Sequence, residues 1–177
     1  MLTRLALLDD LLQKHAPALG ADMAPYRNHC YRLVNFSNVL ATADPDQLEK
    51  LSIAAAFHDL GIWTHATFDY LPPSQQLARA WLPAAQRADW ADEIAAMISE
   101  HHKITACAPH HTALTEAFRQ ADWIDVSAGV LRHGLPRAFI RQVQAAFPDA
   151  GFHLRLLQLS GRRALRHPFS PLPMMRW

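Results

Sequence analysis

Glycine is scarce in this chain, six in 177 residues, and no Gly/Ser-rich run marks a flexible linker between separate units. Cysteine is scarcer still. Cys30 and Cys107 form no Cys-x-x-Cys pair, which excludes zinc-ribbon chemistry and reads as two reduced thiols in a cytoplasmic protein. Net charge is nearly absent, +1 from 17 basic and 16 acidic residues, so there is no overall electrostatic case for a nucleic acid or an anionic membrane as partner. Long hydrophobic runs are missing too: Leu51 to Phe57 falls far short of the ~20 residues needed to cross a bilayer. Asp9 and Asp10 interrupt the apolar N-terminus, so no secretory signal is expected. Internal repeats and the alternating pattern of strands joined by hairpin turns are also absent.

What is present is apolar material, 50% of the residues against 19% charged, enough for one core without disulfides. A single helical domain is expected over residues 1–166, followed by a proline-broken tail, HPFSPLPMMRW, over 167–177. The charge is unevenly placed. Residues 132–177 hold eight arginines against Asp149 alone, or +7, which leaves −6 for residues 1–131.

Helical periodicity runs through most of the chain. Tyr26, His29, Leu33, Phe36 and Leu40 share one stripe of a helix near 26–40. Asp44, Pro45 and Gln47 form a start signal for a second, Ala-rich helix that is expected to run to Gly61, with His58 and Asp59 in its last turn. Residues 62–73 show no period and read as an irregular loop, with another helix from Ser74. Segments 89–102 and 112–127 follow, the first carrying His101 and the second Asp122 and Asp125 on their apolar faces. Two more helices are expected near 136–147 and 152–166. The fold class is all-α.

Four apolar faces thus carry an ionisable group: His29, the His58-Asp59 doublet, His101 or His102, and Asp122. Burying an unpartnered carboxylate costs several kcal/mol, so imidazoles and carboxylates converging in a helical core point to a cation among them. Nitrogen and carboxylate donors without thiolates suit manganese, iron, cobalt, nickel or zinc.

These residues, in this order, resemble the HD-domain metal-dependent phosphohydrolases: His29 within YRNHCYRLVNF, the doublet within AAAFHDLGIW, and Asp122 within FRQADWIDVS. The resemblance covers about residues 25–130. It implies an all-α fold and a divalent metal, magnesium included among the candidates, held by His29, His58, Asp59 and Asp122. It further implies positions open to water and to a small phosphorylated substrate such as a nucleotide, with the metal lowering the pKa of the water and offsetting phosphoryl charge. Arg32 and Lys103 are candidate phosphate clamps, and Asp59 a candidate for orienting or deprotonating the water.

Some relatives add histidines and hold two metals, which here makes His65, His101, His102, His110 and His111 further candidates; His101 is preferred on helix-face grounds, with His102 turned to solvent. Two irons would open a di-iron oxygenase as the alternative activity, and a non-catalytic, metal-supported regulatory protein is the alternative outside enzymes. The ordinary readings stand beside these. His65 sits in a loop, His110 and His111 precede a helix start, and Asp125 is expected as a supporting or surface carboxylate. Asp69 and Tyr70 lie where loops commonly meet substrate. Arg162 and Arg163, in SGRRALRHP, read as a solvated helix face or a polyanion contact. The tail is a candidate contact with another subunit, which leaves a homo-oligomer open.

Overall fold

The start signal at Asp44 is realised in full. Its carboxylate accepts from Gln47 N at 2.8 Å while Gln47 Oε1 accepts from Asp44 N at 3.0 Å, and Pro45 occupies the first helical position. Such a reciprocal cap is worth about 1 kcal/mol and fixes where the helix begins. In the computed structural model, which describes residues 1–175, the chain forms α1 (Ala6–Lys14), α2 (Ala16–Leu19), α3 (Met23–Ala41), α4 (Pro45–Phe57), α5 (Gly61–Thr64), α6 (Leu71–Trp81), α7 (Ala91–Glu100), α8 (Ala113–Val126), α9 (Arg137–Ala146) and α10 (Phe152–Arg166). The fold is all-α, with no sheet among the described residues. None of these helices is long and apolar enough to cross a membrane. The tail is non-helical over 167–175, and the expectation for Arg176 and Trp177 lies outside the described residues.

Helix α3 is the centre of the bundle. It is buried from Tyr26 through Ser37 on every side but one, packing most extensively on α8 and then on α4. Helix α4 is enclosed in turn by α1, α3, α6 and α7, which is why its last seven residues are apolar or small on all faces. Buried side chains such as Leu33, Phe36, Phe57 and Phe118 each contribute about 1.5–3 kcal/mol by leaving water.

Two boundaries differ from the sequence expectation. Helix α4 stops at Phe57, so His58 is its C-cap and Asp59 lies beyond it, while Gly61 opens the single turn α5 instead of closing α4. The glycine is needed for a close approach. A Cβ at position 61 would lie 2.6 Å from Tyr70 O, and Gly61 N donates to Ser74 Oγ at 3.0 Å. Helix α6 likewise begins at Leu71, ahead of Ser74, because Pro72 and Pro73 sit in its first turn, where their missing N–H groups cost nothing. The irregular stretch shrinks to residues 65–70.

Candidate metal centre

Two helix C-termini point at one spot in the core. At the end of α4, His58 Nδ1 lies 2.8 Å from Ala55 O; at the end of α7, His101 Nδ1 lies 2.8 Å from Ile98 O. A carbonyl can only accept, so each Nδ1 carries a proton, and in the neutral ring each Nε2 turns its lone pair to the centre. The negative ends of both helix dipoles face the same place, favouring positive charge there.

His29, from the middle of α3, is held the same way by a carboxylate. Its Nδ1 donates to Asp125 Oδ2 at 2.6 Å, and its Nε2 stands 2.9 Å from His58 Nε2. Asp59 extends between the imidazoles: Oδ2 lies 3.2 Å from His58 Nε2 and 4.0 Å from His29 Nε2, and Oδ1 lies 3.4 Å from His101 Nε2. Asp122, on α8, closes the ring with Oδ1 3.8 Å from His29 Nε2 and Oδ2 3.2 Å from His102 Nδ1.

The arrangement falls into two groups that share Asp59, a buried one with His29 and His58 and a second with the buried His101 and the partly exposed His102. The donors fit a cation on three grounds. Two imidazole lone pairs at 2.9 Å repel unless a proton or a metal lies between them. Asp59 Oδ1, His101 Nε2 and Asp122 Oδ2 are buried without a hydrogen-bond partner, a state that costs about 1–3 kcal/mol per group unless something binds there. The outward nitrogens of His29, His58 and His101 are all fixed by acceptors, the support that metal-ligating imidazoles commonly have.

Electrostatics agree with the geometry. Burial opposes charge on Asp59, yet His58 and His101 outweigh it and hold the carboxyl well below its ordinary range. Asp122 is lowered too, burial being outweighed by His102, His101 and His29. Burial, with His102 alongside, brings His101 down to about 4, so its imidazole is neutral and ligand-competent near pH 7. Burial also lowers His29 despite Asp125, whereas for His58 the Asp59 carboxylate overcomes burial and raises it. An ionised Asp59 whose oxygens are both turned into the ring of imidazoles suits a ligand better than a proton acceptor.

Other sequence candidates lie apart from the ring. Arg32, expected as a phosphate clamp, is 2% exposed and committed to buried partners. Its Nε donates to Asp125 Oδ1 at 2.5 Å, its Nη2 to Asp125 Oδ2 at 2.8 Å, and its Nη1 to Phe147 O at 2.9 Å. Arg32 thereby anchors the carboxylate that holds His29, and Asp125 is a supporting group instead of a ligand. Lys103 Nζ is 3.8 Å from Glu100 Oε2 and does not line the pocket beside the centre. His65 is exposed beside Thr64, and the rings of His110 and His111 lie against each other at a tilt in the 103–112 loop.

His102 is the main correction to the helix-face argument. It does not turn to solvent; its Nε2 is hydrogen-bonded to Tyr70 Oη at 2.5 Å, and its Nδ1 faces Asp122. Because α7 ends at Glu100, helical spacing no longer governs where residue 102 points. Two further contacts have no sequence signal. Phe152, the first residue of α10, stacks on His29 with centroids 4.2 Å apart, and His153 Nε2 donates to Asp125 O at 3.0 Å.

A pocket of about 310 Å³ opens on the His102–Asp122 side, walled by Tyr70, Trp123, Leu156 and Met174. It is largely apolar, and no lysine or arginine among the described residues lines it. The floor can therefore present ligand atoms to a small molecule, while the walls offer shape and dryness in place of charge. No family model, no curated protein and no solved structure matches this chain.

Proposed function

We propose that this chain is a metal-dependent phosphohydrolase of the HD type, acting on a phosphate ester of a small molecule, with two divalent ions at the centre. The observation that carries the reading is Asp59, whose Oδ2 faces the His29–His58 pair and whose Oδ1 faces His101, beside a pocket lined by His102 and Asp122. His29, His58, Asp59 and Asp122 would hold one ion, and His101, His102, Asp59 and Asp122 the other. Four imidazoles favour manganese, iron, cobalt, nickel or zinc over magnesium, which prefers an all-oxygen shell. When bound, such a pair activates water and offsets charge on phosphoryl oxygens, the neutralisation that no cationic side chain in this pocket supplies.

The protein's own part is positioning. Asp125 and the two backbone carbonyls engage the Nδ1 atoms and turn the Nε2 atoms inward as the ligand atoms, Tyr70 fixes the ring of His102, and Leu156, Met174 and Trp123 wall the pocket. Tyr70, whose phenol burial keeps well above its ordinary pKa, is a neutral O–H able to donate toward a bound oxygen. The pocket's lack of cations also supports a second reading, a di-iron oxygenase acting on a substrate with an apolar body.

One experiment separates them. Metal content is measured in the wild type and in the Asp59→Ala and His101→Ala variants, beside phosphate release from a panel of nucleotides and simple phosphate monoesters and oxygen uptake by the iron-loaded protein. Two ions per chain, one retained in His101→Ala and none in Asp59→Ala, with phosphate release by the wild type alone, is the expected result. Two irons with oxygen uptake and no phosphate release would establish the second reading, and absence of any metal would overturn both.

A further inference from the structure

Beyond the 65–70 loop lies a second and larger cavity, a groove of about 500 Å³ that shares only Phe68 with the metal pocket. Arg155, Arg162, Arg163 and Arg166 line one side of it, all from α10, and Trp63 and Phe68 stand on the other. The spacing i, i+7, i+8, i+11 puts the four guanidinium groups on one helical stripe. Like charges at i and i+4, as at Arg162 and Arg166, repel on a helix surface, and four on one face compound this. The negative end of the α10 dipole near Arg163 and Arg166 offsets only part of it.

These arginines do not spend their charge on the acidic body of the protein. Arg155 alone does so, pairing with Asp22 at 2.9 Å, while Arg163 Nε donates to the Ser170 carbonyl at 3.3 Å. Arg162 and Arg166 have no partner among the described residues, and no Asp or Glu among them lines the groove. A concave, ligand-sized space with several guanidinium groups and no compensating acid suits an anion with several oxygens, since each guanidinium can grip two phosphate oxygens at once.

We infer that this groove binds a small molecule bearing a polyphosphate chain, independently of the metal centre. Its phosphates pair with Arg162, Arg163 and Arg166, and its remaining body lies against Trp63 and Phe68. The inference does not rest on the phosphohydrolase reading, because no residue of the ligand ring lines the groove.

The test is calorimetric titration of tripolyphosphate and of ATP, both without magnesium, into the full chain freed of metal by chelation. One site per chain is expected, weakening with added salt, at least tenfold weaker in the Arg162→Ala/Arg166→Ala double variant, and unchanged in Asp122→Asn. Both arginines are on the surface, and circular dichroism with thermal melting checks that the variant folds as the wild type does. No binding of either anion, equal binding by the arginine variant, or loss of binding in Asp122→Asn would each overturn the proposal. So would tighter, arginine-dependent binding of a duplex oligonucleotide, which would assign the stripe to nucleic acid.

Discussion

His29 gives its two ring nitrogens opposite duties, Nδ1 outward to Asp125 and Nε2 inward to the centre, and the outward bond decides what the inward atom can do. Asp125 in turn receives two bonds from the buried Arg32. Replacing Asp125 by Asn keeps the shape but leaves Arg32 as a buried charge without its counter-ion, so about 3 kcal/mol of stability should be lost. The same change frees the tautomer of His29, and metal affinity should fall about 10- to 100-fold. Denaturant melts and competition with a metal indicator measure the two losses, and an unchanged affinity would mean that Asp125 serves the fold alone. A second carboxylate, away from the centre, supplies a pH signature. Burial pushes Glu116 up, but Arg119, the N–H of Cys107 and the Gln120 amide outweigh it and bring Glu116 down to about 2. Its folded pKa thus lies below its ordinary 4.5, so the stability it contributes is complete above about pH 4.5 and fades as the pH falls toward 2. With a quarter of the side chain exposed, screening reduces that contribution to about 1 kcal/mol. Wild type and Glu116→Gln should differ by that amount at pH 6 and converge only as the pH approaches 2 in denaturant melts, whereas a constant gap would assign the effect to packing.

At the scale of elements, the centre depends on where helices stop. Helices α4 and α7 each end one residue before a ligand, so the His58-Asp59 and His101-His102 pairs leave helical geometry where both members can turn inward. Gly61 sets the next step by letting the 70–74 backbone approach α5. Gly61→Ala should push Tyr70 away from its close contact, cost about 1–3 kcal/mol, and loosen the hold of Tyr70 on His102. Thermal melting reads the first effect and the stoichiometry of the second metal the other; a variant as stable as the wild type would mean that the loop yields without strain. This is also where sequence reading reached its limit. Helical period and the Asp44 cap were local signals, and they located α3, α4, α7 and α8 together with His29, His58, Asp59 and Asp122, which the structure brings to one spot. The end of α4 was misplaced because Gly61 looks like a helix stop when its real constraint is a contact nine residues away. The role of Arg32 was out of reach for the same reason: Asp125 lies 93 residues further on, and three positions from His29 an arginine reads equally well as a clamp.

The whole molecule encloses its ionisable ring almost completely. His29, His58, Asp59, His101 and Asp122 are each at most 2% exposed, and α10 covers His29 with Phe152. The lack of partners for Asp59 Oδ1, His101 Nε2 and Asp122 Oδ2 is therefore a cost borne by the entire fold. A cation that binds the folded chain and not the unfolded one removes that cost and stabilises by mass action, about 2.7 kcal/mol when the free metal is at a hundred times its dissociation constant. For a domain of this size each kcal/mol moves the melting temperature by roughly 2–4 °C, so chelation should lower it by about 5–10 °C. Manganese, zinc or ferrous iron should restore the loss in proportion to the logarithm of their concentration, and magnesium should not, because the ring is richer in imidazole than that ion accepts. Asp59→Ala should melt at one temperature with or without metal, since it takes a ligand from both groups at once. Differential scanning calorimetry of chelated and reloaded protein measures all three responses. A wild-type melting temperature indifferent to chelator and to every metal would mean that the two Nε2 atoms share a proton and that the buried ring is a hydrogen-bonded core.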